Sequence, residues 1–534
     1  MTEPSHRIYH ALPLLSILAL GAFLLLFQLD HRPFWQDEAE TANLARNVLI
    51  YGQPRAYDGV NIISQEQGKE YDQNFLWRWS PWLQIFVTAA AFKIGGLTTY
   101  AGRLPFALMG IACIWLVYQL IYRNFGDRAW ACLAALLLAT SVVFLLYARQ
   151  CRYYSLGTLL TLINLYAFRE NWQSKPLPAL LFCLSLALLF YTNYLLFLSY
   201  VAALTIAAVL LYYSEIRWTR VLLLIAGTAL LILPGLFLFR IQQQAMMVSL
   251  RVILSNLEQY YIDFLEFMFP APLAAYMLWH WGRNFATRPG FLADPAERFI
   301  LFISVLALSN IIILTPAPQC ELRYLVHLYP LCTIAMAWVI CRAWRYHKFS
   351  GALLGLLLLG TNWLFILPMD WLGIINRPLH NDSHMLSYPN IPLKLFLTEL
   401  RSPYPDVNYN LVKFFRGQAE PGQTILTTYG DLPLEFYTSC QVIGGLQGHP
   451  HTDKDPDWLV LRWHTRWNRQ YDLNDSEKLI RYLISQPGAY RQLTLPHEDE
   501  IFGNQPDPYF HRFIPPMESV SPLVIYEKNQ PAQP

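Results

Sequence analysis

Two adjacent carboxylates, Asp37 and Glu38, stand directly behind the first long apolar run of this sequence. A carboxylate in that place can take a proton from a hydroxyl. Arg149 and Arg152 lie three residues apart in YARQCRYYS, on one face of a helix start, and Arg323 with Tyr324 opens another apolar run. Guanidinium forks hold phosphate through two parallel hydrogen bonds, strongly so in a partly dry setting. The residue types therefore suit acid–base chemistry on a hydroxyl next to a phosphate-bearing group. Simpler readings exist for both sets: Asp37 as an ordinary helix N-cap, and the arginines as side chains snorkelling to headgroups.

The stretch that positions the acidic pair is FWQDEAETANLARNVLIYGQPRAYDG. It predicts a short amphipathic helix through Ala42, Leu44, Ala45, Val48 and Leu49, stopping at Gly52 with Pro54 beyond. Asp37 and Glu40 fit a capping box. Such a helix lies on a membrane face and does not cross it.

Of 534 residues, 54% are hydrophobic, 15% aromatic and only 14% charged, which is too apolar for a soluble chain of this length. A net charge of +2 argues against nucleic-acid binding through a basic surface. The eight cysteines show no metal-ligand spacing, and no P-loop or dinucleotide fingerprint appears.

Apolar runs of spanning length fall near 8–29, 103–122, 128–147, 153–169, 177–193, 195–213, 219–239, 262–281, 298–315, 324–341 and 350–368. A shorter run, 81–97, carries Lys93 and ends in two glycines. If it does not cross, every inward loop is basic, with Arg123, Arg128, Arg169, Lys175, Arg217, Arg220, Arg283, Arg288, Arg342, Arg345 and Lys348. If it does cross, all of them face outward. The expectation is a mainly α polytopic bundle of about eleven transmembrane helices spanning 1–368, the N-terminus inside, with juxtamembrane helices in a first periplasmic loop, 31–102. Trp77, Trp79 and Trp82 read as an interfacial aromatic belt.

Beyond Met369 prolines and charges rise. Residues 369–418 read as a linker with a short helix near 394–401, and 419–534 as a soluble periplasmic α/β domain. Its expected strands are Thr424 to Thr428, Trp458 to Arg462, Tyr490 to Leu495 and Leu523 to Tyr526, with a helix near Ser476 to Ser485.

This arrangement of groups suits transfer of a sugar from a lipid-phosphate donor, with inversion through an oxocarbenium-like transition state. The chain resembles the C-type (GT-C) integral-membrane glycosyltransferases, specifically the protein O-mannosyltransferases and the related lipid A aminoarabinose transferases. The ordered set that carries the resemblance is the acidic stretch above, then WRWSPWLQIFVTAAAFKIGGLTTYAGRLPFALMG, YARQCRYYSLGTLLTL and CELRYLVHLYPLC, with TTYGDLPLEFY in the tail. It implies the GT-C fold, a polyprenyl-phosphate-linked sugar donor, a lipid, glycan or protein hydroxyl as acceptor, an inner-membrane location and a periplasmic active site. Asp37 takes the place of the family's acidic residue at the acceptor, with Glu38 its neighbour. Arg149, Arg152, Arg323 and Tyr324 fall where the family holds groups near the lipid phosphate. Arg103 matches an arginine that is either structural or phosphate-binding. Arg78 precedes Ser80-Pro81-Trp82-Leu83 where many relatives have Pro-Pro-Leu, which leaves its phosphate role open. Trp35, Tyr57, Asp58, Tyr153, Asn193 and His327 are further candidates for substrate contact. Asn193 stands where relatives often carry His, so a divalent metal held through that His would not be required here. Two other readings fit a polytopic bundle with an outer domain: a lipid or glycolipid transporter, and a lipid-linked oligosaccharide ligase.

Overall fold

A computed structural model describes residues 4–170, 173–244, 248–288, 290–374, 385–448, 455–462, 474–499, 505–515 and 522–529. The chain is mainly helical and divides into two compact units. Unit 1 comprises Met1–Phe27, Phe106–Leu397 and Pro506–Tyr509; unit 2 comprises Gln28–Pro105, Thr398–Gln505 and Phe510–Pro534.

Unit 1 is a bundle of apolar helices. Five helices are long and apolar enough to cross a membrane: Thr99–Phe125, Tyr194–Glu215, Trp218–Leu238, Pro295–Leu314 and Leu322–Tyr346. Two bent pairs bring the number to seven: Arg128–Thr140 with Val142–Ala148, bent by 64°, and Lys348–Gly360 with Trp363–Trp371, bent by 89°. Shorter apolar helices include Ala11–Leu26 and Pro176–Thr192. Among the described residues, seven segments therefore meet the length and composition of a span, beside these shorter apolar helices. The run 262–281 is broken: one helix ends at Phe267 and the next begins at Ala271. Pro270 has no N–H to donate and disfavours helical backbone at Phe269. The amides of Met268 and Phe269 both turn to the carbonyl of Phe264 (3.0 and 2.8 Å), closing the first helix. Burial ranks the spans. The most apolar stretch of Leu322–Tyr346 is 89% buried and that of Trp218–Leu238 only 11%, so the first forms the centre of the bundle and the second its lipid-facing rim.

Unit 2 is built on a five-stranded sheet: β1 (Thr424–Thr427), β2 (Gln441–Gly444), β3 (Trp458–Val460), β4 (Tyr490–Glu498) and β5 (Pro522–Lys528), in the order β2-β1-β3-β5-β4. β1 runs parallel to β2 and β3, and β5 antiparallel to β3 and β4. Side chains alternate across the sheet. Ile425, Val442 and Val460 pack with Val407, Leu411 and Phe415 on one face; Leu426, Ile443 and Leu459 pack with Ile480 and Leu483 on the other. The helix Val407–Gln418, which supplies the first layer, lies inside the expected linker and is part of the domain. Residues 375–384 of that linker lie outside the described residues.

The segment 31–102, expected to belong with the bundle, groups with the sheet. It contributes the helices Gln36–Tyr51 and Leu83–Gly95. The latter has 13 residues, so it measures about 20 Å, short of the roughly 30 Å of a bilayer core. Trp77, expected in an aromatic belt, is fully buried, with its indole N–H on Ser80 Oγ at 2.8 Å.

Candidate functional site

In unit 2 the acidic pair occupies the first turn of the helix Gln36–Tyr51. The helix starts earlier than a cap at Asp37 requires. Trp35 is its N-cap, and Glu38 reaches back to the Trp35 amide at 3.4 Å. Two negative side chains then lie where the helix dipole favours them. At the other end Gly52 adopts a left-handed conformation (φ 72°), as expected of a C-cap.

The two carboxylates differ in what surrounds them. Glu38 is fully buried and paired with Arg103, whose Nε and Nη2 donate to Oε1 and Oε2 at 2.8 and 2.6 Å. The other Arg103 donors reach the carbonyls of Leu29 (2.9 Å), Arg32 (2.9 Å) and Pro33 (3.2 Å). All five guanidinium N–H groups thus have acceptors in the protein. Arg103 stitches the exit of the first helix to the start of the next. Asp37, one residue from Glu38, is half-buried and so reachable.

Glu399 holds the preceding residues: it faces His31 Nε2 at 3.0 Å, Arg32 at 3.3 Å and His511 Nε2 at 2.9 Å. Burial alone would raise its carboxyl, but Arg32 and His511 hold it well below the usual carboxylate range. Asp58 accepts from Arg46 Nη2 at 2.6 Å and from the amides of Val60 and Asn61, so it organises a turn. The Tyr57 hydroxyl donates to Gly59 O at 2.7 Å, Trp35 is buried, and Arg78 lies 3.7 Å from Asp72.

In unit 1, Arg149 has a different use from Arg152. Its Nη1 and Nη2 donate to the carbonyls of Leu24 (2.7 Å) and Phe27 (2.9 Å), capping the C-terminal end of the first helix, and its guanidinium lies over Phe396. Arg152 and Arg323 share one neighbourhood. Arg152 lies 5.9 Å from the Tyr153 ring and Arg323 5.8 Å from the Tyr324 ring, and Tyr153 lies near both arginines, Tyr154 and Tyr324. Tyr153 and Tyr154 meet edge to face at 4.7 Å. Asn193 caps the helix Tyr194–Tyr212, its side chain accepting from Leu195 N and Leu196 N. His327 is 1% exposed and stands edge-on to Tyr200, a core position.

Residues 80–237 match the sequence model of the family described as dolichyl-phosphate-mannose-protein mannosyltransferase. No curated protein matches the chain by overall sequence. The chain is similar in structure to ArnT from Cupriavidus metallidurans bound to undecaprenyl phosphate, at 12% identity and TM-score 0.57 over 97% of this chain and 98% of that one. The same protein in the apo state matches at 14% identity and TM-score 0.54, over 86% and 94%. The fold is that of the GT-C membrane glycosyltransferases.

Two sets of residues gave no sign in the sequence of the partners they meet. The first is the segment TYGDLPLEFY, which packs on the acidic helix of unit 2. Gln36 donates to Asp431 at 2.8 Å, Asn43 to Leu432 O at 3.0 Å and Arg46 to Glu435 O at 3.2 Å; Tyr437 OH takes the Phe34 amide at 3.0 Å. Burial pushes Asp431 up to about 6, and Glu435 is raised further by burial and the Asp431 charge beside it. The second is Pro506–Tyr509, a tetrapeptide that belongs to unit 1 and brings Asp507 near Glu321 and Arg323. A buried Asp between two prolines was the available signal, and spacing alone gave it no partner. Among the described residues no group of three or more His, Cys, Asp or Glu side chains could hold a metal ion.

Proposed function

We propose that the protein transfers a sugar from a polyprenyl-phosphate-linked donor to a hydroxyl acceptor at the periplasmic face of the inner membrane. The observation that carries this reading is the convergence of Arg152 and Arg323, from separate stretches of a GT-C bundle, on one tyrosine cluster. The family model and the undecaprenyl phosphate bound to the structurally similar ArnT support a lipid-phosphate ligand. In this mechanism Arg152, Arg323 and Tyr324 bind the phosphate and stabilise the charge it gains as the glycosidic C–O bond breaks. Asp37 accepts the acceptor hydroxyl's proton as that oxygen attacks the anomeric carbon from the opposite side, inverting it. Glu38 and Arg103 act on Asp37 by fixing the helix start that carries it.

The test is release of polyprenyl phosphate by purified protein in detergent, given polyprenyl-phosphate-linked sugars and a membrane glycolipid extract. Wild type should release it and folded Asp37→Asn should be slower by about a hundredfold or more. Equal rates would remove Asp37 from the reaction. No release from any donor by folded wild-type protein would favour a transporter.

A further inference from the structure

Tyr509 fixes the Pro506–Tyr509 segment in unit 1. Its hydroxyl lies 2.8 Å from Asp263 Oδ1 and 3.0 Å from Glu266 Oε2, and its ring meets Phe267 edge-on at 4.8 Å. A phenol has one proton to give. It satisfies one of these carboxylates fully, so this corner of the bundle is already crowded with negative charge.

Two residues earlier, Asp507 is 6% exposed, and its Oδ1 accepts the Tyr509 amide at 2.9 Å. The groups facing it come from several elements: Glu321 and Arg323 at the start of the central helix, Asp263 from the helix Leu250–Phe267, Tyr147 from Val142–Ala148, and Tyr329. Glu321 Oε1 lies 4.0 Å from Arg323 Nη2, and Asp263 and Asp507 both lie close to Glu321, so three carboxyls gather about this arginine. If all were ionised, a bound phosphodiester would add a fourth negative charge against the two guanidiniums of Arg323 and Arg152, in a space poor in water. Like charges so placed favour the neutral form of one carboxyl. Burial and the Glu321 charge push Asp507 up to about 8, which makes it the member that keeps its proton at neutral pH.

We propose that Asp507 is the proton-carrying carboxyl of the Arg323 site, and that a lipid-linked phosphodiester is taken up alongside its neutral form. The inference rests on the phosphate role proposed above for Arg323. A neutral carboxyl donates its O–H to a phosphate oxygen, whereas a carboxylate repels it. Above the titration of Asp507, each ligand bound therefore carries one proton in from solution.

The experiment measures the affinity of the full-length protein in detergent for a short-chain prenyl-phosphate-linked sugar between pH 6.5 and 9.5. That phosphodiester keeps a single charge throughout. In wild type Kd should be level to about pH 8 and then rise about tenfold per pH unit. Asp507→Asn should show no alkaline rise. Glu321→Gln, which removes the neighbouring charge and leaves Asp507 in place, should retain the rise but shift it to higher pH than an unassisted carboxyl and lower pH than wild type. A flat wild-type profile, or the same alkaline rise in Asp507→Asn, would overturn the role of Asp507 while leaving the proposed function standing. No diester binding by folded wild type at any pH would instead reject the phosphate site, and the inference with it.

Discussion

Glu70 offers a quantitative test of how the loop around the acidic helix is held. Its side chain is 1% exposed, and its carboxylate accepts from Ser64 Oγ at 2.7 Å, from the Glu66 amide at 2.6 Å and from the Gln65 amide. Burial raises it from 4.5 to about 7 despite these bonds. The folded loop therefore holds the proton more tightly than the open loop does. The associated stability is fully present below about pH 4.5, falls as pH rises from there, and is gone above about pH 7. A gap of 2.5 pH units at 1.36 kcal/mol each is about 3 kcal/mol, or roughly three hundredfold in the opening equilibrium. Glu70→Gln keeps the shape: its carbonyl can accept both amides and its NH₂ can donate to Ser64. Amide hydrogen exchange at Gln65 and Glu66, corrected for intrinsic rates, should show wild-type protection declining between pH 5 and 8 by about seventyfold, part of the full change having already occurred below pH 5. The variant should be nearly level and better protected at pH 8. The same decline in both proteins would refute the assignment of the pH dependence to Glu70.

Three further outcomes are expected. Removing one partner of the buried Glu38–Arg103 pair, in Glu38→Ala or Arg103→Ala, should cost about 3–5 kcal/mol in equilibrium unfolding, and the double variant less than the sum; strict additivity would argue against the pairing. Arg323→Ala should weaken prenyl-phosphate binding about tenfold or more with little change in thermal stability, whereas Arg149→Ala should do the reverse, because it uncaps the first helix; binding and unfolding measured on the same samples separate the two. Asp431→Asn should be more stable than wild type at pH 8 and by a smaller margin at pH 5, read from unfolding midpoints, since burial raises this carboxyl from 3.8 to about 6 and the stability tied to its proton is lost between those values.

The sequence was informative where chemistry and periodicity coincide. The alternating β-branched runs at Thr424, Trp458, Tyr490 and Leu523 all became strands, because two faces of a sheet demand that pattern. β2, four residues reading QVIG, is too short for its alternation to stand out. Hydropathy windows located the apolar runs but not the breaks at Ser141 and Phe269. A window averages over a break, and the bend is set by one or two backbone positions. Arg149 and Arg152 are the same residue type three apart, and only the fold shows that one caps Leu24 and Phe27 while the other joins the tyrosines. Glu38 looked like a twin of Asp37. Its distinguishing partner, Arg103, lies 65 residues away, where neither composition nor spacing can find it.

The tetrapeptide that brings Tyr509 to Asp263 also constrains the order in which the protein can be made. These residues are 246 positions apart. A chain synthesised from its N-terminus places the helix bearing Asp263 and Glu266 long before Tyr509 exists. Throughout that interval the two carboxyls lack their phenol, and Arg323 lacks Asp507. A late step of assembly is thus the insertion of these four residues against helices made long before them. An arginine site of this kind stays incomplete until the segment carrying Asp507 has been made.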